Sequence, residues 1–251
     1  MKSQTKTRLQ RTCLSRQRLT ERLSPTHDNK RRFVVGDVHG CFLTLMTLVE
    51  DKIQLQSQDS LYLLGDLIDR GPRSKAVLDY LIGLIGRGYS VHALRGNHEQ
   101  MLLDSTDDDE AFRIWRGNGG EETLRAFEVS HSRLLPSRYL DFLEQMKFIY
   151  ILEQYVMVHA GLDFSGNNPV MDTSPEDMLW LRDYRVSVDK LNGKTLITGH
   201  TMAPLFEIQH SLATNHIKLD NGCYDKHLIG HGNLVALNLD SRELLVVPNS
   251  D

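Results

Sequence analysis

Residues 33–40 read Phe33-Val34-Val35-Gly36-Asp37-Val38-His39-Gly40, a short apolar run that stops on a glycine, a carboxylate and an imidazole. Aromatic and β-branched residues in succession suit a buried strand, and the flanking glycines suit tight turns at its end. The pattern recurs: residues 61–64 end at Gly65-Asp66, 91–94 at Gly96-Asn97-His98, 155–158 at His159, and 195–198 at Gly199-His200. Between these runs lie helical patterns over residues 41–50, 74–86 and 136–146, the last with Pro136 in a position suited to a first helical turn. Strand–helix alternation predicts a layered α/β fold. Residues 216–219, 233–239 and 243–247 read as strands joined by Gly- and Asn-containing turns, which predicts a second, more antiparallel sheet.

A chain of 251 residues, 40% hydrophobic and 25% charged, has the composition of one ordinary globular domain, placed here over residues 32–251. No apolar run approaches the roughly 18 residues needed to span a bilayer, so no membrane association is expected. The three cysteines, Cys13, Cys41 and Cys223, form no CxxC pair. That argues against a thiolate metal site and for a reducing compartment, the cytoplasm. Residues 1–32 carry ten Lys/Arg against two Asp/Glu, and the rest of the chain 19 against 31. Residues 1–31 read as a flexible basic extension, since so few apolar residues cannot order the segment. An organelle transit peptide or a tail for acidic partners fits the same composition. The acidic body excludes a broad phosphate-binding surface, so no nucleic-acid partner is expected.

Metal-type ligands follow nearly every expected strand, at the end of the sheet where sites of layered α/β folds form. Asp37 and His39, two apart, point to one side of an extended segment and could grip one ion. Asp66 adds a carboxylate able to bridge two ions. Adjacent Asn97 and His98 diverge in an extended segment, so that one could ligate metal while the other faces substrate. Carboxylate, carboxamide and imidazole donors without thiolate suit Mn, Fe or Zn, and two such ions can activate a bridging water for in-line attack on phosphorus. Arg70, beside Asp69, and Arg182 have the guanidinium geometry of phosphate clamps. Arg185 lies close enough to Arg182 to compete for that role. His27, His92, His131, His210, His216, His227 and His231 belong to no such pattern and read as ordinary polar residues. Asn118-Gly119-Gly120 reads as a turn.

The segments Gly36-Asp37-Val38-His39-Gly40, Gly65-Asp66-Leu67-Ile68-Asp69-Arg70-Gly71 and Arg95-Gly96-Asn97-His98-Glu99 resemble, in order and spacing, the three signature blocks of the PPP-type serine/threonine protein phosphatases. These belong to the calcineurin-like metallophosphoesterases. His159-Ala160-Gly161-Leu162, Trp180-Leu181-Arg182-Asp183 and Gly199-His200-Thr201 resemble the remaining blocks, and residues 115–123 resemble the Asn-Gly-Gly segment of the bacterial and phage branch. The resemblance covers roughly residues 32–247. It implies a four-layer α/β/β/α sandwich with two mixed β-sheets. It further implies two divalent metal ions, Mn foremost with Fe or Zn as alternatives, one held by Asp37, His39 and Asp66, the other by Asp66, Asn97, His159 and His200.

By the same resemblance Arg70 and Arg182 bind phosphoryl oxygens, and His98 protonates the leaving alkoxide while Asp69 orients its ring. The substrate it implies is a phosphorylated protein or a small phosphoester, attacked directly by a metal-bridged hydroxide. Residues 219–223, Leu-Asp-Asn-Gly-Cys, depart from the Asp-Thr-Gly of many relatives and are assigned no catalytic role. The main alternative is a dinucleoside polyphosphate hydrolase such as a diadenosine tetraphosphatase, whose enzymes commonly lack the Asp-Arg pair present here. A phosphatase of broad small-molecule or phosphotyrosine specificity is a further alternative. A catalytically inactive phosphate-binding scaffold would lack ligands, and none is missing.

Overall fold

The computed structural model describes residues 20–23 and 30–251. The expected flexibility of residues 1–19 and 24–29 therefore lies outside the described residues. Along the chain run β1 (Thr20–Arg22), β2 (Arg32–Val35), α1 (Phe42–Met46, continued by the π-helical turn Thr47–Ile53), β3 (Ser60–Leu63), α2 (Ser74–Gly86) and β4 (Ser90–Ala93). Then follow α3 (Asn97–Ser105), α4 (Asp109–Trp115), α5 (Glu121–Phe127), α6 (Ser137–Gln145), β5 (Ile149–Ile151) and β6 (Tyr155–Val158). The chain closes with α7 (Pro169–Asp172), α8 (Pro175–Trp180), β7 (Thr195–Thr198), α9 (Leu205–Ser211), β8 (His216–Lys218), β9 (Asn233–Asn238) and β10 (Leu244–Pro248).

The strands form two mixed sheets of five, ordered β10-β9-β2-β3-β4 and β1-β5-β6-β7-β8. In the first, β2, β3 and β4 are parallel while β9 and β10 are antiparallel. In the second, β6, β7 and β8 are parallel and β5 runs antiparallel to β6.

Strand parity assigns each side chain to a layer. Phe33 and Val35 of β2 face the core under the helices, with Leu45, Leu78 and Trp115. Val34, between them, faces the second sheet and meets Tyr155, Met157 and Ile197. On β6, Val156 and Val158 turn outward onto Met178, Leu179 and Leu191. Three apolar layers thus separate helices, sheet, sheet and short helices, which is the four-layer α/β sandwich expected.

Three expectations are corrected. The C-terminal third does not make a sheet of its own: β8 extends the second sheet in parallel with β7, whereas β9 and β10 join the first beside β2. Burial explains the split, because Leu234 and Ala236 pack under the helices while Val235 and Leu237 pack between the sheets. Thr20–Arg22, inside the stretch expected as a flexible extension, is a strand paired in parallel with β5. Pro136 stands one residue before α6, at its cap, and not within its first turn. Among the described residues, no helix is long and apolar enough to cross a membrane.

Candidate metal centre

The parallel strands of both sheets deliver their C-terminal ends to one place. There β2 leads into Asp37 and His39, β3 into Asp66, Asp69 and Arg70, β4 into Asn97 and His98, β6 into His159, and β7 into His200. All of these except Arg70 are buried. The loops are not extended, contrary to the reading of Asp37 and His39: His39, Asp66, Asp69, Arg70 and His200 have positive φ, from 45° to 71°. Such backbone is costly for non-glycine residues and gathers at functional sites. Asn97 and His98 open helix α3. They still diverge, since successive helical residues are about 100° apart.

Asp66 lies at the middle. Its carboxylate is 3.5 Å from His39 Nε2, 3.5 Å from His159 Nε2 and 4.0 Å from His98 Nε2. Two groups of side chains bring ligand atoms within 4.8 Å of one another: His39, Asp66 and His98, and Asp66, His159 and His200. Asp37 stands beside them, its Oδ2 accepting from the His200 backbone N–H at 2.9 Å. Gly199 permits this approach, because a Cβ there would lie 2.0 Å from Asp37 Oδ1.

The donor set fits bound cations on the structure's own terms. His159 Nδ1–H donates to the Leu64 carbonyl at 2.8 Å, which leaves Nε2 a lone pair facing Asn97 Oδ1 at 2.9 Å. Two lone pairs in contact are what a shared cation relieves. The buried atoms Asp37 Oδ1 and His200 Nε2 have no hydrogen-bond partner in the protein, and buried polar atoms left so are rare.

Titration separates the rings. Burial drives His39 and His159 below the ordinary imidazole range, and burial with His159 nearby takes His200 down to about 3. These three rings are neutral at pH 7 and keep lone pairs. For His98, burial again opposes the charge, but the Asp66 and Asp69 carboxylates outweigh it and raise the pKa. Burial works against the Asp66 charge too, yet the four surrounding histidines hold its carboxyl below the usual range. Asp37 is pushed well above that range by burial, then by Asp220 and Asp66.

Asp69 is fixed from three directions. His98 Nδ1–H and Trp115 Nε1–H each donate to Oδ2 at 2.8 Å, and Thr123 Oγ1–H donates to Oδ1 at 2.6 Å. Arg70 donates from Nη1 to His39 Nε2 at 3.0 Å, and its guanidinium lies 4.7 Å from the Tyr224 ring centroid. The Asn118-Gly119-Gly120 turn packs onto this arginine, with the Gly119 carbonyl accepting from Arg70 N at 3.1 Å. Arg182 sits at the exposed rim, donating to Thr201 Oγ1 at 3.1 Å. Its competitor Arg185 is exposed as well.

Sequence reasoning missed several members of this assembly. The Glu99 carboxylate accepts from the backbone N–H groups of Asp66, Leu67 and Gly96 at 2.7–2.9 Å, knitting two ligand loops together. Trp115 and Thr123 hold Asp69, and Tyr224 covers Arg70. Asp220, placed by β8, is buried beside Asp37 and Asp66 and is pushed up to about 6 chiefly by burial. For Asp220 a signal was available, since it directly follows the strand expected over residues 216–219, much as Asp66 follows that over 61–64.

Residues 30–232 match the calcineurin-like phosphoesterase family. The chain belongs to that family and is an enzyme of it, a metallophosphoesterase whose relatives depend on two metal ions. It is 44% identical over 159 residues to serine/threonine-protein phosphatase 1 of Salmonella typhimurium, a match covering 60% of this chain and 68% of the relative. It is 35% identical over 133 residues to a symmetrical bis(5'-nucleosyl)-tetraphosphatase of Nitrosomonas europaea, covering 52% of this chain but only 44% of that protein. Among solved structures, a provisionally named diadenosine tetraphosphatase superimposes with a TM-score of 0.66 at 20% identity, over 92% of this chain and 98% of the other. At that identity the likeness bears on the fold alone.

Proposed function

We propose that this metallophosphoesterase is a serine/threonine protein phosphatase, hydrolysing phosphate monoesters by direct attack of water on phosphorus. The observation that carries the reading is the Asp69–His98 pair: one ring held by a buried carboxylate at 2.8 Å, with its pKa raised, beside three rings whose pKa is lowered. A seryl or threonyl alkoxide is a poor leaving group and needs a proton as it departs, which His98 Nε2 supplies while Asp69 holds Nδ1–H. Cleavage of a dinucleoside tetraphosphate expels a nucleoside phosphate, which needs that proton far less. The raised pKa also sets His98 apart from the other three rings, although it lies within reach of Asp66.

Two divalent ions, manganese foremost with iron or zinc also suited to these donors, would be held by Asp37, His39, Asp66, Asn97, His159 and His200, supplying an activated water and neutralising phosphoryl charge. Arg70 swings from His39 to bind phosphoryl oxygens, and Arg182 closes on them from the rim. The free, buried thiols of Cys41 and Cys223 support a cytoplasmic location. The tetraphosphatase reading draws its support from the Nitrosomonas relative.

The test is hydrolysis by metal-stripped protein, with Mn, Fe, Zn or Mg restored, read as inorganic phosphate from a phosphoserine peptide and as free mononucleotides from diadenosine tetraphosphate in parallel. Hydrolysis of the peptide is the expected result. Activity confined to the dinucleotide overturns the protein-phosphatase reading and leaves the metal centre standing.

A further inference from the structure

Of the nine large hydrophobic side chains exposed among the described residues, Trp180 has its ring 6.1 Å from that of His200, and four others, Met202, Phe206, Leu228 and Ile229, stand on the segments that follow His200 and Asp220. Ile229 is 95% exposed and Phe206 68%. The segments that carry them are locked together. The Asn221 carboxamide donates to the carbonyls of Ala203 and Gly230, each at 2.9 Å, and Leu205 N donates to the same Gly230 carbonyl at 2.9 Å. Gly232 N donates to Asn221 O at 3.1 Å, closing the 225–232 loop onto the strand end that bears Asp220. Met202 lies against Gly222, its sulfur 2.6 Å from where a Cβ would stand. The shoulder is therefore a built surface, and it begins two residues after His200.

Held apolar side chains in water lose the stabilisation that burial would return, and clustered ones mark interaction surfaces. We propose that this shoulder binds the apolar side chains that flank the phosphorylated residue of a protein substrate. The inference rests on the protein-phosphatase reading and deepens it, by making a bulky aliphatic or aromatic neighbour a determinant of specificity. Continuity with the centre argues for this occupant, since Met202 follows His200 by two residues and Asn221, which locks the shoulder, directly follows Asp220. Chemistry argues the same way. Three of the four side chains are aliphatic or thioether and offer no hydrogen bond to a nucleobase edge. The loop's lysine, Lys226, is turned away to the Asp251 carbonyl oxygen at 2.5 Å, out of reach as a clamp for extra phosphates. Beyond Phe206 a cleft of about 620 Å³ continues between α9 and the edge strand β8, giving room for the chain that leads away.

The experiment compares phosphoserine peptides carrying Leu or Ser at each of the two positions on either side, p-nitrophenyl phosphate and diadenosine tetraphosphate. Each is assayed with the wild type and with Ile229→Asp and Phe206→Asp in the metal-loaded protein. At one or more positions the wild type is expected to prefer Leu roughly tenfold in kcat/KM, through KM, as burial of one such side chain predicts. Both variants lose that preference while turning over p-nitrophenyl phosphate as before. Peptides hydrolysed without any preference overturn this inference alone, as does an equal loss on p-nitrophenyl phosphate. Variants slowed on the tetraphosphate but not on peptides would assign the shoulder to nucleotides and overturn it too. If no peptide is hydrolysed while the tetraphosphate is, the protein-phosphatase reading itself falls and takes this inference with it.

Discussion

His98 sits where two carboxylates reach one ring, Asp69 at 2.8 Å from Nδ1 and Asp66 at 4.0 Å from Nε2. Its role separates cleanly from that of a ligand by substitution. His98→Asn is expected to keep the metal content of the wild type and to lower kcat for a seryl phosphate by about 10²–10⁴. The loss should be smaller for p-nitrophenyl phosphate, whose leaving group needs little protonation. Elemental analysis beside steady-state kinetics checks both parts, and loss of metal from this variant would make His98 a ligand instead. At this scale the sequence was informative where chemistry repeats locally. Asp37, Asp66, Asn97, His159 and His200 each follow an apolar run, and that rhythm is visible without coordinates. The partners of Asp69 were not legible, because Trp115 and Thr123 are 46 and 54 positions away and reach it only through the packing of α4, α5 and the turn between them. Nothing in a Trp or Thr considered alone marks it as the support of a carboxylate.

At the level of elements, the turn between α4 and α5 links sequence to site most directly. Gly119 has φ of +108°, and a Cβ there would stand 2.7 Å from Arg70 Cγ. Gly119→Ala is expected to cost about 1–2 kcal/mol in backbone strain and to push Arg70 aside, so that KM for any phosphomonoester rises with the melting temperature falling. A normal KM in a destabilised protein would show that the turn supports the fold without positioning the arginine. Strand β8 carries a different consequence. His216 is driven down to about 4, mainly by burial, beside Thr198 Oγ1 at 2.9 Å. The unfolded chain takes up a proton near pH 6.5 and the folded ring does not until about 4. Stability from this residue is thus complete above pH 6.5 and is lost as pH falls toward 4, with a slope of at most about 1.4 kcal/mol per pH unit. His216→Gln should flatten the fall in thermal stability between pH 7 and 5, and an unchanged slope would remove His216 as a cause. Parallel strands flanked by helices were readable as elements because each is a short apolar run with the same kind of end, a glycine or a metal-type ligand. By contrast β1 and β5, three residues each, carry too little pattern, and the sheet each C-terminal strand would join depends on which core its side chains fill.

For the whole molecule, the centre is where the two sheets are joined by chemistry as well as by packing. Asp37, His39, Asp66 and Asn97 come from the loops of the first sheet, and His159 and His200 from those of the second. Between the sheets the contact is otherwise apolar, through Val34, Tyr62, Met157 and Ile197 among others. Without cations the protein would hold the carboxylates of Asp37, Asp66 and Asp220 together in a buried place, where burial first and their mutual repulsion second raise the pKa of Asp37 and Asp220. Ions binding the folded state alone stabilise it by mass action, about 2.7 kcal/mol at a hundredfold excess over Kd. For a chain of this size that is a rise of roughly 5–10 °C in Tm. Chelation should reverse it, and His159→Ala should diminish the metal-dependent part, because it removes one of the two second-sheet donors and leaves His200 alone to tie the clasp to that sheet. The measurement is thermal unfolding of wild type and variant, each stripped and each restored with Mn. Equal Tm values for the stripped and restored wild type would mean that packing alone joins the sheets. A metal-dependent rise of full size in His159→Ala would leave His200 as the one second-sheet donor that the clasp uses.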